Sequence, residues 1–353
     1  MCNYRSILKL PKINVVDFFC GCGGTSAGLQ KAGMHILAGI DFDKNAIATY
    51  AKNFPAAHVF NINIKELDTL SIETILTPYK NEILVFAACA PCQPFSKQNR
   101  YKNSSDDRIC LLDEFHRFVK VFQPDYILLE NVPGMQKISE GPFTRFIQVL
   151  DQNGYEYDSD VKNVMNYGIP QSRKRLVLIA SKHGKIKLPE EKYGDGKLPY
   201  NTIRKYIEKY PPLQAGEKDK SIPNHECAKL SPMLLKRIAV LKEGQDRRSW
   251  DDSLKLKCHK DHKGHTDVYG RLSWDKPSVT LTTKCISLSN GRFGHPEQNR
   301  ALSVREAAAI QTFDDSFVFC GNLGSTAKQV GNAVPVDFAK FLGKQIVEDA
   351  LKL

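Results

Sequence analysis

From Ile13 to Ala180 this chain alternates short apolar runs with segments of helical pattern, and that rhythm narrows the possible folds more than any other feature. Residues 13–19 read as a strand and 25–32 as the helix after it. Residues 35–40 form a second strand, with a helix near Lys44–Asn53. Ile83–Ala88 is apolar without interruption, as in a strand buried on both faces. Leu111–Phe122 has helical spacing, and Pro124 stops it. Residues 126–129 read as a further strand. Residues 155–164 and 175–180 read as two more, joined through a turn at 167–170. Repeated alternation of this kind predicts an α/β fold, a mostly parallel sheet covered on both faces by helices.

The rhythm stops after Ala180. Residues 182–200 are rich in Lys, Gly and Pro, and the stretch to about Asn299 is polar, basic and irregular. Helical pattern returns at 303–311 and 336–351. A chain of 353 residues exceeds what one core usually serves, so two domains are expected. They are a sheet domain from 1–182 plus 320–353, and a smaller irregular domain with its hinge from 183–319. The formal net charge of +11 favours a polyanionic partner, because Lys and Arg displace counterions from phosphates. The longest apolar stretch, 83–90, ends at Pro91 and is too short to span a bilayer. With no leader-like run at the start, a cytoplasmic protein with free thiols among its ten cysteines is expected.

Four features carry chemistry. Asp17-Phe18-Phe19-Cys20-Gly21-Cys22-Gly23-Gly24 lies between a strand and a helix, where glycines let the backbone bend and approach a ligand. Asp41 follows Gly21 by 20 positions, the spacing of a carboxylate that binds ribose hydroxyls. Ser26 stands where a dinucleotide pattern needs glycine, so a nucleoside ligand fits better than a pyrophosphate. Next, Ala88-Cys89-Ala90-Pro91-Cys92-Gln93-Pro94-Phe95-Ser96 leaves the carboxyl end of the buried strand, the edge where α/β sheets bind ligands. A thiol there is either a nucleophile or a buried structural cysteine. Glu130, in Leu129-Glu130-Asn131-Val132-Pro133, closes the next strand, where a carboxyl can share a proton or merely cap a helix. Gln171-Ser172-Arg173-Lys174-Arg175 precedes the last strand. If that strand is antiparallel to its neighbour, the arginines reach the same edge and can hold a carbonyl oxygen or a phosphate.

These motifs, in this order, resemble those of the C5-cytosine DNA methyltransferase family of bacterial restriction–modification type. Pro91-Cys92-Gln93, Glu130-Asn131-Val132 and Gln171-x-Arg173-x-Arg175 carry the likeness. So do Arg300-x-Leu302, Glu306-x-Ala308, Gln311-x-Phe313 and Gln329-Val330-Gly331-Asn332-Ala333-Val334-Pro335. The resemblance implies the Rossmann-like fold of S-adenosylmethionine-dependent methyltransferases, mostly parallel with an antiparallel last strand, plus a smaller target-recognition domain. It implies that Cys92 attacks carbon 6 of a cytosine flipped out of duplex DNA, which makes carbon 5 reactive. Glu130 then hydrogen-bonds N3 and the 4-amino group, Arg175 holds O2, and Arg173 supports the flipped base or its backbone. For S-adenosylmethionine it implies Phe19, Gly21, Cys22, Gly24, Asp41, Phe42, Asn63, Ile64, Pro91, Leu111, Asn332 and Val334. Asn63 stands where the family usually has an acidic residue; its side-chain oxygen can still accept a hydrogen bond.

In the family, residues 182–299 would read DNA, with Arg247, Arg248, Lys260 and Lys263 as candidates. Cys258-His259-x-x-His262-x-x-His265 has the residues of a zinc site but the spacing of no common finger, so no metal is expected. The likeness also implies a monomer and a cognate restriction endonuclease acting on the same DNA site without direct contact. Three other readings compete. Methylation of cytosine in transfer RNA goes with a Cys-Phe-Thr segment, which is absent here. A catalytically silent DNA-binding protein has no need of Cys92, Glu130 and Arg175 together. A nicotinamide dehydrogenase needs the full glycine pattern.

Overall fold

The structure, a computed structural model, describes residues 11–90, 111–256 and 267–353. Its centre is a seven-stranded sheet in the order β3-β2-β1-β4-β5-β7-β6. The strands are β1 (Ile13–Phe18), β2 (His35–Asp41), β3 (His58–Asn61), β4 (Ile83–Ala88), β5 (Tyr126–Asn131), β6 (Glu156–Asn163) and β7 (Lys174–Ser181). All neighbours are parallel except around β7, which runs antiparallel to both β5 and β6. The helices of this part are α1 (Gly24–Lys31), α2 (Lys44–Asn53), α3 (Thr69–Leu76), α4 (Leu111–Phe122) and α5 (Pro142–Gln152). The chain continues through α6 (Arg204–Ile207), α7 (Pro232–Ala239), α8 (Val304–Ile310), α9 (Leu323–Asn332) and α10 (Val336–Ala350).

Strand alternation divides the core into two layers. Val15, Val85, Leu128 and Val177 face one way, toward a layer that includes Leu29 of α1 and Phe338 and Leu342 of α10. Val16, Phe18, Phe86 and Leu129 face the other, toward Phe115 and Phe118 of α4 and Phe146 of α5. The Phe18 ring lies 5.0–5.1 Å from those of Phe86, Phe115 and Phe118, so aromatic packing fixes β1 and β4 side by side beneath the loops they feed. A Cβ placed on Gly28 would stand 2.4 Å from the Val336 carbonyl, so only glycine lets α1 and α10 lie this close.

β3, α3, α5, α6, α7 and α9 are additional to the elements read from the sequence. β3 has four residues and an edge position, with no alternation to mark it. α5 did carry a signal: Pro142 at its start and buried Phe143, Phe146, Val149 and Leu150 at helical spacing.

Between α6 and α8 there is little regular structure, so many carbonyls lack a ladder partner, and buried arginines meet them instead. The Arg271 guanidinium donates to the carbonyls of Ile238, Leu241, His295 and Gln298. Arg305, fully buried, donates to Pro223, Asp314 and Phe317. Arg300 and Glu306 form a bidentate pair at 2.7 Å with both side chains buried, while Glu306 also closes a capping box with Ser303 at the start of α8. Part of the basic excess therefore holds the fold together and is out of reach of phosphates.

Candidate active site

The strand order decides the site. β1 and β4 are adjacent, yet their chains leave toward opposite halves of the sheet, the switch point at which α/β folds bind ligands. Across the carboxyl edge stand, in order, Asp41 at the end of β2, the glycine turn after β1, Cys89 after β4, and Glu130 in the last turn of β5. β7 begins at this edge because it is antiparallel, and so brings Arg175 there.

One half of the edge is shaped for a nucleoside. Phe19 and Gly21 have φ values of 58° and 53°, which turn the chain sharply after β1. The Gly21 amide donates to Asp41 Oδ2 at 2.9 Å, and the Asp43 amide to Asp41 Oδ1 at 2.8 Å. Each carboxylate oxygen keeps a lone pair for a further donor. Among the described residues a Cβ on Gly21 would meet nothing within 4 Å, so this part of the turn is open to a ligand on their side. A Cβ on Gly24, by contrast, would stand 2.4 Å from the Val334 carbonyl. The turn is thus seated against the segment that carries Asn332 and Val334, and Cys22 Sγ reaches the Gln329 carbonyl at 3.7 Å. Phe42, beside Asp41, is 64% exposed, an uncovered aromatic face at the rim. Asn63 is exposed and its Oδ1 accepts from the Lys65 amide, while Ile64 and Leu111 are buried. Pro91 lies outside the described residues. Open space by Gly21, available oxygens on Asp41 and the bare ring of Phe42 suit a nucleoside with a ribose and a flat base.

Beneath the turn, Asp17 is fully buried and accepts from Ser26 Oγ at 2.6 Å, while its Oδ1 has no partner among the described residues. Burial pushes this carboxyl up to about 7, with Asp41 adding to the rise. A carboxyl raised by folding contributes stability that is complete below the ordinary carboxylate range and is lost as pH climbs through about 7. Asp17→Asn keeps an acceptor for Ser26 and removes the titration. Its melting temperature should therefore gain on wild type between about pH 5 and about pH 8. Thermal melts that keep a constant difference across that range would disprove the assignment.

The other half of the edge gathers polar groups around one carboxyl. Glu130 is 6% exposed. Its Oε1 lies 2.8 Å from Arg175 Nε and its Oε2 accepts from Cys89 Sγ at 2.9 Å. Asn131 donates through Nδ2 to the Ala90 carbonyl at 3.2 Å, which ties β5 to the root of the segment that carries Cys92. Cys92 itself lies outside the described residues.

Residues 13–348 match the family described as C-5 cytosine-specific DNA methylase. The type II methylase M.HgiDII of Herpetosiphon aurantiacus is 38% identical over 339 residues, covering 94% of each chain. The type II methyltransferase M1.HphI of Haemophilus parahaemolyticus is 35% identical, over 99% of this chain and 89% of its own. A solved structure of the Entamoeba histolytica methyltransferase EhMeth superposes with a TM-score of 0.66 at 18% identity, covering 96% of this chain and 99% of that one. The chain belongs to the C-5 cytosine-specific DNA methylase family.

The fold is accordingly that of S-adenosylmethionine-dependent methyltransferases, and the family works through a covalent adduct between enzyme and cytosine. Among the described residues no helix is long and apolar enough to cross a membrane.

For a cytosine-5 methylase of this family, the sequence suggests Arg173 as support for the base or its backbone, and the structure places its side chain among main-chain carbonyls. Arg173 is 3% exposed, and its guanidinium donates to the carbonyls of Leu281, Gly331 and Ala333. It fastens the strand side of the site to the segment holding Asn332 and Val334. Arg173 precedes β7 and turns to the carbonyls beside it, whereas Arg175 lies within the strand and meets Glu130. Gln171 and Gln311, which sequence reasoning gave no role, share this task. Gln171 donates to Gln311 Oε1 and accepts from the Leu281 amide, while Gln311 donates to Val330 and Ala333. Their places within the quoted motifs were the available clue.

Arg247, proposed as a reader of base edges, is buried and so unavailable to a groove. Arg248 is exposed and paired with Asp246 at 2.6 Å. Lys260, Lys263 and the Cys258–His265 cluster lie outside the described residues. Cys20, Cys22, Cys227, Cys285 and Cys320 are free thiols.

Proposed function

We propose that this chain methylates carbon 5 of a flipped-out cytosine in a specific sequence of duplex DNA, with S-adenosylmethionine as donor. The observation that carries this reading is the Glu130 carboxyl, set between Arg175 and the root of the Pro91-Cys92-Gln93 segment, one strand from a nucleoside-shaped turn. Asp41 would hold the ribose, Phe42 would stack on the adenine, and Asn63 and Ile64 would edge it. Phe19, Gly21, Cys22, Gly24, Asn332 and Val334 would line the methionine part, with Pro91 and Leu111 closing the pocket. Bound there, the cofactor supplies a methyl group made electrophilic by its sulfonium.

The residues of the chain prepare the acceptor. The Cys92 thiolate adds to carbon 6, and the ring electrons shift toward N3 and carbon 5. Glu130 holds a proton at N3 and accepts from the 4-amino group, stabilising the charge that attack creates. Arg175 donates from Nη1 to the Lys174 carbonyl, and its five N–H groups leave donors to hold O2. After methylation, the carbon-5 proton passes to a water and the Cys92–carbon 6 bond breaks.

Residues 1–182 with 320–353 would form the catalytic domain, and 183–319 the recognition domain and hinge. The protein would work as a cytoplasmic monomer at the nucleoid. Its companion would be a restriction endonuclease that cuts the same site and makes no contact with it. Labelled S-adenosylmethionine offered with duplex DNA and, separately, with transfer RNA tests the reading, and bisulfite sequencing of exposed DNA maps the site. Label should enter DNA at one recurring cytosine context. Label confined to transfer RNA, or to neither substrate, would overturn it.

A further inference from the structure

Cys89 has no part in the chemistry described so far, yet it touches the group on which that chemistry turns. It follows β4 by one residue, and its amide donates to the Phe18 carbonyl at 3.3 Å, so the β1–β4 pairing extends to it and fixes its backbone. Its side chain is half-buried and points across to β5, where Sγ stands 2.9 Å from Glu130 Oε2. Arg175, on the strand at the other side of β5, takes Oε1. The carboxyl is therefore gripped from both neighbouring strands, one oxygen each.

The terminal torsion of a glutamate is broad, so nothing in the side chain itself sets the plane of the carboxyl. A charge contact on Oε1 and a hydrogen bond on Oε2 do set it. They are also unequal: the guanidinium acts through its full charge, whereas the thiol gives one weak neutral hydrogen bond. The Oε2 side is thus held in place but cheaply released. A base edge that brings its own N–H to this oxygen displaces a weak bond and finds the carboxyl already turned.

We propose that Cys89 is a positioning residue for Glu130, its thiol holding Oε2 in orientation until the 4-amino group of the cytosine takes over that oxygen. The inference rests on the methyltransferase reading above. A hydroxyl at position 89 preserves the donor and a methyl group does not.

Single-turnover methyl transfer at saturating cofactor and DNA is the first measurement. Cys89→Ala should slow it about tenfold, the scale of one hydrogen bond to a charged group, with the KM values for both substrates within about twofold of wild type. Cys89→Ser should restore most of the rate. Equal rates in Cys89→Ala and wild type, or a Cys89→Ser variant as slow as Cys89→Ala, would overturn the proposal. The second measurement needs no turnover. The S–H stretching band of Cys89, isolated by subtracting the infrared spectrum of Cys89→Ser, should move to higher frequency in Glu130→Gln, because a neutral amide is the weaker acceptor. A band that stays put would refute the contact. If wild type transfers no methyl group but the band moves, the function is wrong and the positioning bond stands.

Discussion

Replacing Cys92 with serine should cut methyl transfer by about 10³-fold or more while leaving DNA binding in place. The reason is the nucleophile's charge state. Addition to carbon 6 needs an anion, and a thiol gives up its proton far more readily than an alcohol does. Serine is close to cysteine in shape, so the substitution mainly changes the nucleophile. Groups that bind phosphates and base edges lie elsewhere and stay intact. Labelled methyl transfer and a gel-shift titration with cognate duplex measure the two halves separately. A serine variant that turns over at a rate near wild type would remove Cys92 from the chemistry. One that fails to bind DNA would mean the substitution reaches beyond the sulfur.

How far the sequence carried the fold depended on local pattern. β4 and α4 were legible to the residue because one is wholly apolar and the other carries strong helical spacing ended by Pro124. β7 was read as a strand, and its antiparallel course was conditional until its register against β5 placed Glu130 opposite Val177. The site was legible where the chemistry demands particular side chains at strand ends: Asp41, Glu130 and Arg175. It was not legible where a side chain works through tertiary contacts. Arg173 and Arg175 look alike in a line of text, and only packing shows that one guanidinium faces main-chain carbonyls and the other a carboxylate. The same holds for Arg247, whose burial no local pattern announces. The partnership of Cys89 with Glu130 joins positions 41 residues apart on adjacent strands and becomes visible only once the sheet order is known.

Glu130→Gln should slow the chemical step by about 10²- to 10⁴-fold, the range for loss of a positioned general acid, and change cofactor affinity by less than about threefold. The amide nearly matches the carboxyl in shape and can still accept from the 4-amino group. It cannot keep a proton in exchange with N3, so charge built on the ring by attack at carbon 6 has nowhere to go. The substitution also leaves Arg175, whose side chain is 13% exposed, facing a neutral group. Some loss of stability is therefore expected, and thermal melts must show a folded protein before rates are compared. Glu130 lies across β1 and β4 from Asp41, so equilibrium binding of S-adenosylmethionine should barely respond. Rapid-quench measurement of the first turnover separates this from slow product release, which would mask the effect in steady state. If the first turnover of a folded Glu130→Gln variant is as fast as that of wild type, the carboxyl is not the group that answers N3. The grip that Cys89 and Arg175 keep on it would then serve the sheet edge alone.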